Sequence, residues 1–134
     1  MNNKYFIDSS LLINFFRRST YSTDDKIAEL IEAQAIYING IIISEILGGS
    51  KRNETSITAC IDFLNICNMD YDYFIMAGQM IKKIVGKTIP LSDIYIAQHC
   101  LDNNLILLAN DKHFDMIKKI YPALKYEQTI SEKR

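Results

Sequence analysis

The sequence predicts an α/β fold built on a mainly parallel sheet. Short apolar runs, Tyr5-Phe6-Ile7, Ala35-Ile36-Tyr37-Ile38 and Leu105-Ile106-Leu107-Leu108-Ala109, lack the alternation of a half-wet sheet and suit strands covered on both faces. Stretches with apolar residues at helical spacing stand between them. Capping and breaking residues, among them Ser9, Asn39-Gly40, Gly48-Gly49, Pro90 and Asp111, fall at the junctions. Strands alternating with helices imply parallel pairing through crossovers.

The elements follow in order. The run ending at Asp8 leads through Ser9-Ser10 into a helix over Leu11–Phe16, and Arg17 to Asp24 reads as a loop. A helix over 25–34 carries Ile27, Leu30 and Ile31 on one face. The second strand closes at Asn39-Gly40, and Ile41–Leu47 reads as a helix ended by Gly48-Gly49. Residues 51–54 link to a helix from Thr55 to Ile66, and a short strand is expected near 68–71. Asp72 is placed to cap a helix that Gly86 stops. Ser92 is placed to cap a helix through Leu101, and Leu105–Ala109 is the clearest buried strand. Asn110-Asp111 opens a helix that Pro122 breaks, Leu124–Tyr126 suits an edge strand, and residues 129–134 read as a frayed tail.

At 134 residues the chain is expected to form a single domain over 1–134, with room for a core that needs no metal or disulfide staple. The formal net charge of −1 gives no global pull toward nucleic acid or membrane, although basic residues gathered on one face could still bind RNA. Cys60, Cys67 and Cys100 are odd in number and form no CxxC pair, which argues against a disulfide framework or a zinc site. No apolar stretch has the length of a membrane span and the start lacks the pattern of a signal peptide, so a cytoplasmic location is expected.

Four acids stand out. Asp8 and Asp111 each follow a buried strand, where a cap is an adequate explanation and ligand contact is another. Asp93 falls on the apolar face of its helix with Ile94, Ala97 and Cys100, while Tyr95, Gln98, His99 and Asp102 fall opposite. A buried carboxylate without a partner is costly, so capping alone accounts poorly for it. Glu45 sits in an almost wholly apolar helix, with Gly48 and Gly49 on its face leaving room for close approach; a solvent-facing Glu is the competing reading. In a parallel sheet all four would come toward the C-terminal edge. Mutual repulsion there calls for a cation, and hard oxygen ligands favour Mg²⁺ or Mn²⁺, the apparatus of phosphodiester hydrolysis. His113 reads as a surface or packing residue.

Four blocks, Phe6-Ile7-Asp8-Ser9-Ser10, Ile43-Ser44-Glu45-Ile46-Leu47-Gly48, Leu91-Ser92-Asp93-Ile94-Tyr95-Ile96-Ala97 and Leu107-Leu108-Ala109-Asn110-Asp111-Lys112-His113-Phe114, together resemble the PIN-domain family of metal-dependent ribonucleases, in particular VapC-type toxins of VapBC toxin–antitoxin pairs. The resemblance covers almost the whole chain. It implies a PIN-like three-layer α/β/α fold with a central five-stranded parallel sheet. It implies an endoribonuclease using Mg²⁺ or Mn²⁺, with Asp8 and Asp93 as direct metal ligands and Glu45 and Asp111 completing the catalytic pocket. Ser10 matches a small hydroxyl position after the first acid. Ala109 departs from the pattern, because the family usually has Thr or Ser there. Arg17, Lys51, Arg52 and Lys112 are the favoured contacts for RNA phosphates. The implied partners are an RNA substrate, tRNA or rRNA among them, a cognate VapB-like antitoxin in a hetero-oligomer, and a second copy in a homodimer, with no membrane.

Competing readings are a PIN-like nuclease of RNA processing without an antitoxin, and a non-catalytic PIN-fold binding module. A phosphoacceptor receiver domain fits less well, since serines rather than a second acid follow Asp8.

Overall fold

Every strand pair in the sheet is parallel, and β1 (Tyr5–Ile7) lies at its centre. The computed structural model describes residues 3–17, 26–49, 54–84 and 88–128. After β1 come α1 (Ser9–Arg17), α2 (Lys26–Glu32), β2 (Ile36–Asn39), α3 (Gly40–Gly49), α4 (Glu54–Ile61) and β3 (Asn65–Cys67). Then follow α5 (Tyr71–Lys83), α6 (Leu91–Asn103), β4 (Ile106–Leu108), α7 (Lys112–Ile120) and β5 (Lys125–Glu127). The strand order is β3-β2-β1-β4-β5, with Phe6 opposite Tyr37 on one side and Leu107 on the other.

This order dictates the layers. The chain steps outward from β1 to β2 and β3, then crosses back to β4 and β5. Because parallel crossovers are right-handed, the two directions of travel put their helices on opposite faces. Accordingly α1 packs on α3 and α3 on α4, while α5 packs on α6 and α6 on α7. The three-layer α/β/α arrangement expected from the sequence is the one observed.

Phe6, Ile7, Ile36, Ile38, Leu107 and Leu108 fill the sheet's two faces, meeting Leu12, Ile42 and Ile46 from one helical layer and Ile94, Ile96 and Phe114 from the chain's later helices. Burial of each such side chain contributes about 1.5–3 kcal/mol. Phe15 and Phe16 join this core, whereas Phe63 and Phe74 are exposed. Among the described residues no helix is long and apolar enough to cross a membrane.

Several boundaries differ from the sequence expectation, each for a local reason. The helix expected from Thr55 to Ile66 stops at Ile61, and the third strand lies at Asn65–Cys67 rather than near 68–71. Residues 65–67 pair with β2, and the Asn65 side-chain amide donates to the carbonyls of Gln34 and Ile36, both at 3.0 Å. Pairing and that anchor outweigh the helical pattern. Asp70, not Asp72, caps α5 by accepting from the Tyr73 amide at 3.0 Å. Ser92 does not cap α6; the helix starts at Leu91 after Pro90, whose fixed φ suits a helix start and whose carbonyl accepts from the Asp93 and Ile94 amides. Asn39 caps α3, its Oδ1 accepting from the Ile42 amide at 3.0 Å.

Gly48 and Gly49 lie inside α3 rather than beyond it. A Cβ on Gly49 would come within 2.9 Å of Ile13 Cδ1, so this glycine permits close packing of α1 on α3. The supposedly outer side of α6 is also covered: Gln98 and His99 are buried, with Gln98 Nε2 donating to the Tyr73 carbonyl of α5 at 3.1 Å. Helix α1 continues through Arg17, whose side chain lies outside the described residues. The rest of the expected loop to Asp24, the helix start at 25, Lys51, Arg52, Gly86 and the tail from 129 also lie outside them.

Leu107 is fully buried in β4. Leu107→Ala is expected to cost about 2–5 kcal/mol in urea unfolding; a loss below about 1 kcal/mol would contradict this placement.

Candidate metal centre

β1 and β4 are neighbours whose outgoing connections depart to opposite faces. The chain therefore parts beyond their C-terminal ends, which is where open α/β sheets take ligands. Asp8 follows β1 directly and Asp111 stands just after β4, one on each lip of that opening.

Backbone donors hold both acids. The Asp8 amide donates to the Leu108 carbonyl at 3.2 Å, tying the residue to β4. Its Oδ1 accepts from the Ser9 amide at 2.8 Å, and the Ser10 hydroxyl also bonds the carboxylate. Asp111 caps α7: its Oδ1 accepts from the His113 amide at 2.9 Å. The Tyr126 hydroxyl of β5 donates to the Asp111 carbonyl at 3.0 Å, so the edge strand fixes the loop that carries the acid. Ala109 is fully buried, its amide donating to the Glu127 carbonyl. Asp111 is thus positioned by its own cap and by Tyr126, while Ala109 contributes only its backbone.

Asp93 enters from the first turn of α6 and is only 6% exposed, as its place on the inner face required. His113 Nδ1 lies 3.0 Å from Asp93 Oδ2 and 2.9 Å from Asp111 Oδ1. A nitrogen lone pair aimed at two carboxylates would be repelled, so Nδ1 carries the proton and donates between them. Sequence reading missed His113. The available signal was its place two residues after Asp111, inside the first turn of a helix that the acid itself caps.

The four acids also sense one another. Burial raises the Asp8 carboxyl above its ordinary value, opposed by the Ser9 amide and reinforced by the charges of Glu45 and Asp111. Burial pushes Asp93 up to about 6, with the Asp111 and Asp8 charges adding to the rise and His113 opposing it. Glu45 is exposed at the rim and acts on Asp8 through its charge. Of the two readings of Glu45, the solvent-facing one holds: α3 turns it toward solvent, near enough to Asp8 for its charge to act there. Lys112 is exposed beside Asp111. Arg17's side chain, Lys51 and Arg52 fall outside the described residues.

The arrangement suits a divalent cation. Asp93, Asp111 and His113 each offer one ligand atom, all within 4.8 Å of one another. Carboxylate oxygens, joined by the His113 nitrogen once its proton moves to Nε2 or to solvent, are a donor set that Mg²⁺ or Mn²⁺ accepts, Mn²⁺ the more readily because of the nitrogen. A cation would relieve the repulsion that raises Asp8 and Asp93.

A parallel α/β domain with acids gathered at its switch point defines a class of candidate metal-dependent domains. Within it, the family model of the PIN domain matches residues 5–120, and the chain belongs to the PIN domain family. Its fold is similar to that of VapBC2 from Rickettsia felis bound to a DNA fragment from its promoter, at 21% identity, covering 94% of this chain and 98% of that one with a TM-score of 0.74. It is likewise similar to DNA-bound VapBC from Salmonella typhimurium (19% identity, 95% and 98% covered, TM-score 0.74). VapBC-1 from nontypeable Haemophilus influenzae is a third such structure (21% identity, 92% and 96% covered, TM-score 0.65). Among curated proteins no relative matches the sequence significantly.

The raised Asp93 value has a consequence for stability. Below about pH 4 this carboxyl is protonated both folded and unfolded; as pH rises from 3.8 toward 6 the unfolded chain gives up the proton first, so its contribution to stability is lost across that window. Metal-free wild type should therefore lose stability relative to Asp93→Asn between pH 4 and 6, read as urea midpoints at several pH values. Parallel profiles for the two proteins would contradict the raised value.

Proposed function

We propose that this chain is a metal-dependent endoribonuclease acting in the cytoplasm as the toxin of a VapBC-type toxin–antitoxin pair. The observation that carries the reading is the pairing of Asp93 and Asp111 through His113 Nδ1, with Asp8 near enough to act on Asp93 by its charge. The family membership and the similarity to VapBC structures support it.

Asp93 and Asp111 would hold Mg²⁺ or Mn²⁺ with His113 within reach of the same position, and Asp8, outside that group of three but near enough for its charge to act on Asp93, would complete the ligand set. Such an ion supplies Lewis acidity for a phosphoryl oxygen and lowers the pKa of water that would attack the phosphorus in line. The chain's own part is to keep its carboxylates fixed and ionised at that spot. The Ser9 amide and Ser10 hydroxyl stabilise the charged form of Asp8. The N-termini of α1, α6 and α7 lie at the same edge and favour negative charge there. Glu45, at the exposed rim, would orient the attacking water or a second ion. Lys112, together with Arg17, Lys51 and Arg52, would hold RNA phosphates, tRNA and rRNA being the candidate substrates. A VapB-like antitoxin is the proposed inhibitor in a hetero-oligomer, and two copies of this chain form the proposed homodimer.

Purified protein free of antitoxin should cut RNA only with Mg²⁺ or Mn²⁺ present, and chelation should stop it. Asp8→Asn and Asp93→Asn should each abolish cleavage while preserving the circular dichroism spectrum and cooperative melting. Cleavage by either folded variant would defeat the assignment. Failure of the wild type to cut any RNA with metal supplied would favour a binding module instead.

His113→Ala should weaken Mn²⁺ binding by about 10- to 100-fold, the range for groups that orient or supplement metal ligands. Unchanged affinity in calorimetry would remove His113 from the site.

A further inference from the structure

The candidate metal centre draws its groups from separate elements, so its grip on an ion depends on how firmly those elements are held against one another. Asp93 comes from the first turn of α6, whereas Asp111 and His113 come together from the start of α7. Most of the bonds on Asp111 do not connect the two helices to the sheet. Its Oδ1 accepts from the His113 amide at 2.9 Å, and His113 Nδ1 lies 2.9 Å from the same oxygen. Its carbonyl accepts from the Phe114 amide at 3.1 Å. All these partners belong to α7, so they shape the cap but do not stop the start of the helix from shifting as one piece.

The Tyr126 hydroxyl reaches the Asp111 carbonyl from outside that helix, at 3.0 Å. Tyr126 is the half-buried middle residue of β5, between exposed neighbours, and pairs in register with the fully buried Leu107 of β4. Its ring packs on Phe114 at 5.8 Å. Gln128 Nε2 donates to the hydroxyl at 3.3 Å, which fills an acceptor position and leaves the hydroxyl proton for the Asp111 carbonyl. Because a peptide unit is planar, holding that oxygen holds the whole plane between Asp111 and Lys112, and with it the backbone rotation that aims the Asp111 side chain.

We propose that Tyr126 is a positioning residue of the metal centre. Its hydroxyl ties the Asp111 carbonyl to β5 and so keeps the Asp111–His113 pair at the distance from Asp93 at which one divalent cation can meet all three. The proposal rests on the reading of these residues as a metal site. The hydroxyl is engaged with a carbonyl, so it acts through Asp111 and not on the ion.

Tyr126→Phe removes the hydroxyl and keeps the ring against Phe114. Calorimetric titration of Mn²⁺ into the full chain should show about three- to tenfold weaker binding than in wild type, the size of one neutral hydrogen bond. A second readout needs no metal. In the metal-free protein labelled with ¹⁵N-histidine, the His113 Nδ1–H that stands between Asp93 and Asp111 should move upfield and exchange faster with water in Tyr126→Phe, because the bridge loosens. Lys125→Ala, which removes a contact of the same strand with Asn104 but leaves the hydroxyl, should change neither readout. Either readout left unchanged in Tyr126→Phe, a loss of stability alone, or equal losses in Lys125→Ala would overturn the proposal. A wild type that binds no Mn²⁺ would instead defeat the metal-site reading, and the proposal with it; the wild-type titration alone tells that failure apart.

Discussion

Like charges drawn together away from water are the constraint this molecule is arranged around. Burial raises both Asp8 and Asp93 above their ordinary values; the charges of Glu45 and Asp111 add to the rise at Asp8, and those of Asp111 and Asp8 to the rise at Asp93. Such a cluster persists only if the backbone offsets part of the cost. The amides of Ser9 and His113 do so directly, and the helices that begin at this edge do so through their dipoles. The Nδ1–H of His113, donated between Asp93 and Asp111, offsets part of their mutual repulsion. The strand order makes this possible, because only where β1 and β4 send their connections apart can three elements deliver acids to one place.

Helix α6 links the candidate metal centre to the rest of the core. Asp93 sits in its first turn, and His99 lies six residues on, about 9 Å along the axis. Helix α5 locks it in place: the Tyr73 hydroxyl donates to the Tyr95 carbonyl and Gln98 donates to the Tyr73 carbonyl. The opposite lip is fixed by β5, whose Tyr126 holds the Asp111 carbonyl. Edge strand and outer helix, neither of which carries an acid of the cluster, thus determine how far apart the carboxylates stand.

Much of this was legible in the residues. The unbroken apolar runs gave the strands because both sheet faces are covered, and Asp93 declared itself by lying on the buried face of its helix. Asn65–Cys67 did not, because an edge strand is half exposed and its pairing depends on β2, far away in sequence. The orientation of Glu45 stayed open because an almost wholly apolar helix has no polar face to mark the solvent side. The glycines beside it serve the contact with Ile13. His113 read as a surface or packing residue, and His99 as an outward one, because an imidazole's surroundings depend on what packs against it, and periodicity does not report that. Parallel pairing predicted that Asp8 and Asp111 would share an edge, but their spacing depends on side-chain geometry that no sequence pattern encodes.

The central claim, that these acids and His113 form one divalent-metal site, is tested most directly by paramagnetic broadening. With substoichiometric Mn²⁺ added to the metal-free protein, amide signals of Asp8, Asp93, Asp111 and His113 should disappear together, and those of the exposed acids Glu32 and Asp62, which precede β2 and β3 at the opposite edge, should broaden later. Broadening spread evenly over the surface acids, or sparing Asp93 and Asp111, would contradict it.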